Sequence, residues 1–322
     1  MKKLLKLLTC IFVIVGITIF VFTSFAQETK TNNQKKTKDT VSKSVYNSAY
    51  EYEKIFNNAF NIFVSPKTNV HLKISTTALP QNEEFGLTNS FEDTIFERKS
   101  SKIYSIIGNN EQIIYIIGKR LLYKDLTTNT FFEIPKESPL WESTVLNIGV
   151  PETNQYFAKF NDKMVKLIKS KKPKISETQA RINNLSGKYI KVDISLNNNE
   201  WGPIFYEYLS SIILENLKLQ NKAQGKIYTD KDIEDWKTEI VNYLEQLKAG
   251  SKNITYYINP KTKQIAREQV VTVVYINDKK HYVTNISDVI DIGDKVKCPI
   301  ISEDQIQPLP NEDEKNTSEK SS

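Results

Sequence analysis

The feature that most constrains the fold is residues 111–134, a run of strand-like segments separated by short turns. Its apolar residues are mainly Ile, Leu, Tyr and Phe, most of which are frequent in strands. Gly118 and Lys119 mark one tight turn, and residues 125–129 mark a second. Short strands joined by Gly- or Asx-containing turns are typical of antiparallel hairpins. The run therefore predicts three antiparallel strands in succession.

Both faces of these predicted strands are apolar. Residues 113–117 are all Ile or Tyr, and successive side chains on a strand point to opposite faces. Such a sheet is covered on both sides or curls around something apolar. The alternation predicts two sets of side chains on opposite sides: Ile114, Ile116 and Leu122 on one, and Ile113, Tyr115 and Leu121 on the other.

The rest of the chain adds helices and further strands. Apolar residues recur at helical spacing in 44–63, 153–170, 203–219 and 230–248. Strand patterns occur at 70–75, 91–99, 102–107, 189–196, 253–258, 264–276 and 281–292. The composition, 39% hydrophobic and 25% charged, is that of a globular protein. The predicted class is α+β.

The N-terminus has the layout of a secretory signal segment. Lys2, Lys3 and Lys6 precede an uncharged stretch, residues 7–25, and Ala26 ends a small-residue cleavage pattern. The apolar stretch is long enough that an uncleaved signal anchor is the alternative to a cleaved peptide. In either case the basic flank places the remaining chain outside the cytoplasmic membrane, secreted or anchored.

Two polar segments flank the predicted body. Residues 27–43 are rich in Lys, Thr, Asn and Gln without an aromatic residue, which predicts a disordered tether. Residues 303–322 hold six acids against two Lys, which predicts a disordered acidic tail. The domain organisation is therefore a signal segment at 1–26, the tether, a single domain at 44–302, and the tail.

The charge distribution argues against a nucleic-acid partner. The chain carries a formal net charge of +6, to which the first 43 residues contribute strongly, so the body is only mildly basic. One basic cluster stands out in and after the helix predicted at 153–170. It is either a solvated helix face or a contact for anionic lipid headgroups or cell-wall polymer. Its members are Lys163, Lys166, Lys169, Lys171 and Lys172.

No motif for catalysis or a cofactor is present in the sequence. The glycines lack nucleotide-binding spacing, there is no G-x-S-x-G elbow, and two histidines with Cys298 do not make a usual zinc site. We interpret Cys298 as a small buried hydrophobe. We expect no cofactor, no metal site and no enzymatic activity. A hydrolase built on paired carboxylates is the remaining catalytic alternative, because spatial pairing is invisible in a sequence.

The order of three turn motifs resembles a known family. The hairpin at 116–131, the Asn-Pro-Lys-Thr turn within 256–267 and the Gly-x-x-Val-x-x-Pro ending within 289–299 are similar to segments of LolA-like lipoprotein carriers and LppX/LprG-type lipid-binding lipoproteins. The resemblance spans about residues 44–302. This chain departs from the lipoprotein members in lacking a lipobox cysteine and in its enlarged helical segment at 201–248.

The resemblance implies a strongly curved antiparallel sheet, a half-barrel, covered by helices around an apolar cavity. Such a cavity would hold a lipid-like ligand by burying acyl chains. The expected function is non-catalytic binding in the cell envelope. The alternative is a structural or protein-interaction module with a filled core. The cavity candidates are Ile114, Ile116, Leu122, Phe205, Leu209 and Ile212.

Overall fold

A computed structural model of the chain describes residues 45–308, apart from 83–86, 109–111, 119, 127, 139–140, 143 and 145–153. The predicted signal segment and tether lie outside the described residues, as do residues 309–322 of the predicted tail. No helix in the described part of the chain has the length and apolarity to cross a membrane.

The described elements alternate between strand-rich and helical stretches. The helices are α1 (Val45–Phe63), α2 (Gln155–Lys169), α3 (Asn198–Ala223) and α4 (Asp230–Glu245). The first group of strands is β1 (Val70–Leu79), β2 (Ser90–Glu97), β3 (Lys102–Ile107), β4 (Gln112–Ile117), β5 (Arg120–Asp125) and β6 (Thr130–Ile134). The second group is β7 (Lys174–Ile182), β8 (Leu185–Leu196), β9 (Leu247–Asn259), β10 (Gln264–Ile276), β11 (Lys279–Ile292) and β12 (Ile306–Pro308).

These strands form one open sheet in the order β12-β6-β5-β4-β3-β2-β1-β11-β10-β9-β8-β7. The pairing of β1 with β11 joins two meanders, β1–β6 and β7–β11. Every neighbouring pair is antiparallel except β12 with β6, which is parallel. The predicted fold class, a large antiparallel sheet covered by helices, is confirmed. The parallel strand β12 was not predicted.

The sheet twists strongly at its second half. Asn183, in the turn between β7 and β8, donates a hydrogen bond of 2.8 Å to the carbonyl of Val289 on β11. Two strands, β9 and β10, separate β8 from β11 in the sheet order. The hairpin tip therefore curls back over the sheet, as expected for long strands whose right-handed twist accumulates.

Local capping chemistry fixes where the helices begin. Asn154 accepts hydrogen bonds from the backbone of the first turn of α2. Asn197 and Glu200 form a capping box at α3, and Thr229 and Asp232 form one at α4. Each pair satisfies backbone N–H groups that the first turn of a helix leaves without partners.

Two hydrophobic cores lie on opposite faces of the sheet. The inner face packs against the helices and forms the large core. The outer face of β2–β6 forms a smaller core around Ile113, Tyr115, Leu122, Phe131 and Cys298. A segment that we call the strap, residues 294–308, contributes Cys298, Ile301 and Ile306 to this outer core. The sheet is thus covered on both sides where β3–β6 are apolar on both faces.

The predicted side assignment of two leucines is wrong. Ile116 pairs with Leu121 and Tyr115 pairs with Leu122 across the hairpin. Directly paired residues share a face, so Leu121 lies on the inner face and Leu122 on the outer face. The error arose because the two-residue turn, and not the count along one strand, sets which residues of β5 oppose those of β4.

Two further segments differ from the sequence expectations. Residues 174–182, for which no helix or strand was predicted, form the edge strand β7. Residues 303–308, placed in the predicted tail, form a short 3-10 turn and β12.

Candidate functional site

Five of the six predicted cavity residues belong to the large core on the inner face of the sheet or pack against it. Phe205, Leu209 and Ile212 of α3 are at most 3% exposed and belong to the same core as Ile116, with the half-buried Ile114 packed against it. The sixth, Leu122, is fully buried in the outer core. Their role as ligand contacts stays a prediction.

The N-terminal part of α3 is fastened to β9 by side-chain hydrogen bonds. The indole Nε1 of Trp201 donates to the carbonyl of Gly250 at 2.8 Å. The Tyr206 hydroxyl donates to the carbonyl of Leu247 at 3.1 Å and accepts from the N–H of Ala249 at 2.6 Å. A Cβ at Gly250 would lie 2.8 Å from Cγ1 of Val273, so only glycine fits between the two strands. Helix α3 is therefore held in register with the sheet.

Aromatic side chains fill the space between helices and sheet. Phe160 of α2 lies 4.8 Å, ring centroid to centroid, from Tyr208 of α3. Phe56 and Phe60 of α1 lie 5.6 and 5.5 Å from Tyr256 of β9. Rings at these separations are in van der Waals contact. The part of the inner face beneath α1, α2 and α3 is therefore occupied by the protein's own side chains.

A polar cluster lies inside this apolar layer. Lys252 and Tyr256 on β9 pair with Thr272 and Glu268 on β10, so all four side chains share the inner face. Lys252 and Tyr256 are fully buried and Glu268 is 1% exposed. The Lys252 ammonium donates to Thr272 Oγ1 at 3.0 Å and lies 4.9 Å from the ring centroid of Trp201. We call these four residues, with Trp201, the buried polar cluster.

Burial shifts both charged groups of this cluster towards neutrality. Desolvation lowers the pKa of Lys252 to about 7, although the Glu268 carboxylate works in the opposite direction. Desolvation also raises the pKa of Glu268 to about 8, partly offset by Tyr256 and Lys252. The Tyr256 hydroxyl lies near Glu268, but neither it nor either carboxylate oxygen has a partner at hydrogen-bond geometry. A protonated Glu268 needs fewer partners than an ionised one.

The cluster is unsuited to catalysis in this conformation. An acid or base must reach the atom to which it transfers a proton, and these groups are sealed beneath α1 and α3. What the arrangement can do is make the stability of the interior depend on pH. Sequence reasoning missed it because the strand was predicted to begin at residue 253. Extending the alternation by one residue would have placed Lys252 beside Ile254 on the apolar face.

Three grooves on the surface are lined by residues other than the predicted cavity residues. One lies between α2 and α3 around Tyr156, Phe160 and Glu207. A second lies beside the β7–β8 turn and includes Arg181 and Arg267. A third follows the end of α4, around Val241, Leu244, Tyr206 and Leu247.

The basic cluster is interleaved with acidic side chains. Lys163 pairs with Glu207, and Lys159 reaches the same carboxylate at 2.7 Å. Lys166 pairs with Asp162 at 2.6 Å. Lys171 pairs with Glu200, which also caps α3. Lys169 and Lys172 are exposed. The positive charge predicted from the sequence is thus partly neutralised in place.

His71, His281 and Cys298, which were considered from the sequence for metal binding or nucleophilic chemistry, make contacts that do not form such a site. Among the described residues, no group of three or more His, Cys, Asp or Glu is placed to hold a metal ion. His71 contacts Asp93 at 2.6 Å, and His281 contacts the carbonyl of Pro80 at 2.9 Å. Cys298 is 6% exposed, which confirms its interpretation as a buried small side chain, and burial raises its pKa to about 11. A protonated thiol is a poor nucleophile.

No protein-family model matches the chain, and no curated protein matches it. Among solved structures, it is similar to the complex of MucA and MucB from Pseudomonas aeruginosa, at 5% identity and a TM-score of 0.27. That match covers 79% of this chain and 60% of the other. It is also similar to a structure titled lipid–protein interactions in lipovitellin, at 8% identity and a TM-score of 0.25. That match covers 74% of this chain and 26% of the other, and neither likeness carries a functional argument.

Proposed function

We propose that this protein is a non-catalytic, extracytoplasmic binding protein that acts through its surface, with a half-barrel interior filled by its own side chains. The observation that carries the proposal is the packing of the predicted cavity. Phe205, Leu209 and Ile212 are at most 3% exposed and pack in the same core as the sheet residue Ile116. A ligand of acyl-chain size would need space that these side chains occupy.

Mass spectrometry of the purified protein tests this proposal. We expect the mass of the chain alone under native conditions, and no lipid in an organic extract. Titration with a fluorescent fatty acid should give no saturable uptake. Co-purified lipid at one molecule per chain, or saturable uptake that Phe205→Trp abolishes, would contradict it.

A lipid-like ligand in the interior is the second candidate function. The observation that favours it is the apolar row across the inner face of β3–β6, formed by Ile103, Ile116, Leu121 and Ile134. Such a row would line an acyl-chain site if the side chains of the large core that pack on it moved aside. This is the site that the resemblance to LolA-like carriers implies, and the same measurements decide between the two candidates.

The basic and apolar residues of the N-terminus support the proposed extracytoplasmic location. A fusion of residues 1–43 to a reporter enzyme that is active only outside the cytoplasm tests it. We expect activity from this fusion, and none when Val13 and Val15, inside the apolar stretch, are both changed to Asp.

A further inference from the structure

The outer face of β2–β6 is apolar where a one-sided antiparallel sheet would be polar. Ile113, Tyr115, Leu122 and Phe131 form its buried centre. Four more apolar side chains surround this centre and are only half-buried: Ile95, Tyr104, Ile106 and Ile117. The strap reaches this surface with three apolar side chains, so it covers the centre and leaves the margin partly exposed.

The strap crosses this surface without regular structure up to Ser302, followed by a 3-10 turn at Glu303–Gln305 and strand β12. The Tyr115 hydroxyl donates to the carbonyl of Pro299 at 2.8 Å, and the Glu97 carboxylate accepts from the N–H of Cys298 at 3.0 Å. Its last three residues, β12, pair in parallel with Phe131–Glu133 of β6. Addition of an extended segment to a free sheet edge is a common mode of peptide recognition, in which pockets for side chains supply specificity.

Arg120 gives this surface a second element of recognition. Its guanidinium holds two carboxylates, Glu133 of β6 at 2.9 Å and Glu303 of the strap at 2.7 Å. The contact from Arg120 lowers the pKa of Glu303. Because the Arg fork matches a planar carboxylate, it selects an acidic residue at this point of an extended segment.

The strap's own charged side chains are exposed, although the partner of one of them, Glu97, is buried. Asp294, paired with Lys99, is 80% exposed, and Glu303, paired with Arg120, is 76% exposed. Lys297, paired with Glu97, is 63% exposed. Exposed ion pairs contribute little and are screened by salt. The strap is therefore retained mainly by the apolar side chains of Val296, Cys298, Ile301 and Ile306. The buried Asn69 side chain adds a hydrogen bond of 3.0 Å to the carbonyl of Val296.

We propose that the outer face of β2–β6, with the edge of β6 and Arg120, is a binding site for an extended segment of a partner protein, occupied in this chain by its own strap. The partner segment carries aliphatic or other small apolar residues at the spacing of Cys298, Ile301 and Ile306. It also carries a carboxylate between the last two. This inference rests on the proposed function, since it names the surface through which the protein binds.

Binding of a synthetic peptide to full-length variants tests the site. The probe is a fluorescein-labelled peptide of residues 295–308, measured by anisotropy under reducing conditions. Ile301→Asp with Ile306→Asp loosens the strap and raises the fraction of open sites. The apparent affinity rises with that fraction, so we expect binding about tenfold tighter than to the wild type. Ile300→Asp is the matched control, because Ile300 is 95% exposed, and it should behave as the wild type does.

Circular dichroism establishes that each variant is folded, and Ile301→Ala with Ile306→Ala serves as a milder pair if the Asp variant is not. Failure of both pairs to bind the peptide more tightly than Ile300→Asp would overturn the proposal. Equal binding of a scrambled peptide would also overturn it. If lipid is found in the interior and the Asp variant still binds the peptide more tightly, the filled interior is refuted and the peptide site is supported.

Discussion

The two faces of the sheet are covered in different ways. The inner face is covered by helices whose large side chains are fully buried, among them Trp201 and Leu209, each 0% exposed. The outer face of β2–β6 is covered by the strap, in which only Val296 and Cys298 are buried. Burial of apolar area is the main source of stability in a fold, so the two covers contribute very differently.

The comparison shows which of the two covering segments can detach from the sheet without unfolding the protein. Removal of α3 would expose the part of the large core that packs against it, together with Lys252 of the buried polar cluster. Removal of the strap would expose a smaller surface and break ion pairs that are already in contact with solvent. Segments with few buried contacts open at lower free energy than the global fold. The helices on the inner face are therefore integral to the fold. The strap on the outer face is a segment that another peptide can replace.

The largest effect is expected from breaking the inner cover at Trp201. Trp201→Ala removes a fully buried ring, its hydrogen bond to Gly250, and the aromatic face next to Lys252. We expect a loss of about 3–5 kcal/mol in the free energy of unfolding, measured by urea denaturation followed by circular dichroism. Trp236→Ala is the matched control, since Trp236 is only half-buried on α4 and should cost much less. Equal losses in both variants would contradict the distinction between core and periphery.

The second effect comes from the buried polar cluster and depends on pH. The pKa of Glu268 is raised to about 8 in the fold, so between about pH 4.5 and 8 the folded state holds a proton that the unfolded state has lost. Stability then falls as pH rises through this window. The pKa of Lys252 is lowered to about 7, so stability rises between about pH 7 and 10.5. We expect a minimum in unfolding free energy near pH 7–8.

Two substitutions separate these contributions. Glu268→Gln should remove the decrease below the minimum, and Lys252→Met should remove the increase above it. Urea denaturation at pH 5, 7.5 and 9.5 measures both the decrease and the increase in unfolding free energy with pH. A curve for Glu268→Gln that keeps the wild-type decrease from pH 5 to 7.5 would show that Glu268 is not the group responsible.

The local architecture was predictable where one segment carries its own pattern. The strand predicted at 264–276 coincides with β10, and the helix predicted at 44–63 with α1 to within one residue. The burial of Phe205, Leu209 and Ile212 was also predictable, because their helical spacing required an apolar face. Periodicity reports which face is buried, and this information is local.

Features that depend on distant pairing were not predictable. β7 reads Lys-Ile-Ser-Glu-Thr-Gln-Ala-Arg-Ile, a mostly polar segment that is a strand because β8 pairs with it. Ile301 and Ile306 have no strand or helix periodicity, and only the apolar outer face explains where they lie. The Lys252–Glu268 cluster joins two strands through a register that bulges shift, which a single sequence does not display.

A smaller effect is expected from weakening the outer cover at Arg120. Arg120→Ala removes the contact with Glu303 and should increase the open fraction of the strap by about fivefold, equivalent to about 1 kcal/mol. The rate at which a thiol reagent labels Cys298 measures this, in a Cys10→Ser background. Lys237→Ala, which breaks an exposed pair with Glu234 on α4, is the control and should leave labelling unchanged. Labelling that accelerates only in proportion to global unfolding would show that the strap does not open independently.

The smallest effect is expected on the solvent side of the helical cover, at Lys169 and Lys172. Each lysine near an anionic membrane contributes about 1 kcal/mol, so a functional basic patch would lose about 30-fold in affinity when both are changed to Gln. In this structure the neighbouring Lys163, Lys166 and Lys171 are paired with carboxylates. We therefore expect less than a twofold change in binding to phosphatidylglycerol vesicles, with the N-terminal segment present in both proteins. A change of tenfold or more would establish this surface as a membrane contact and make it a third functional face.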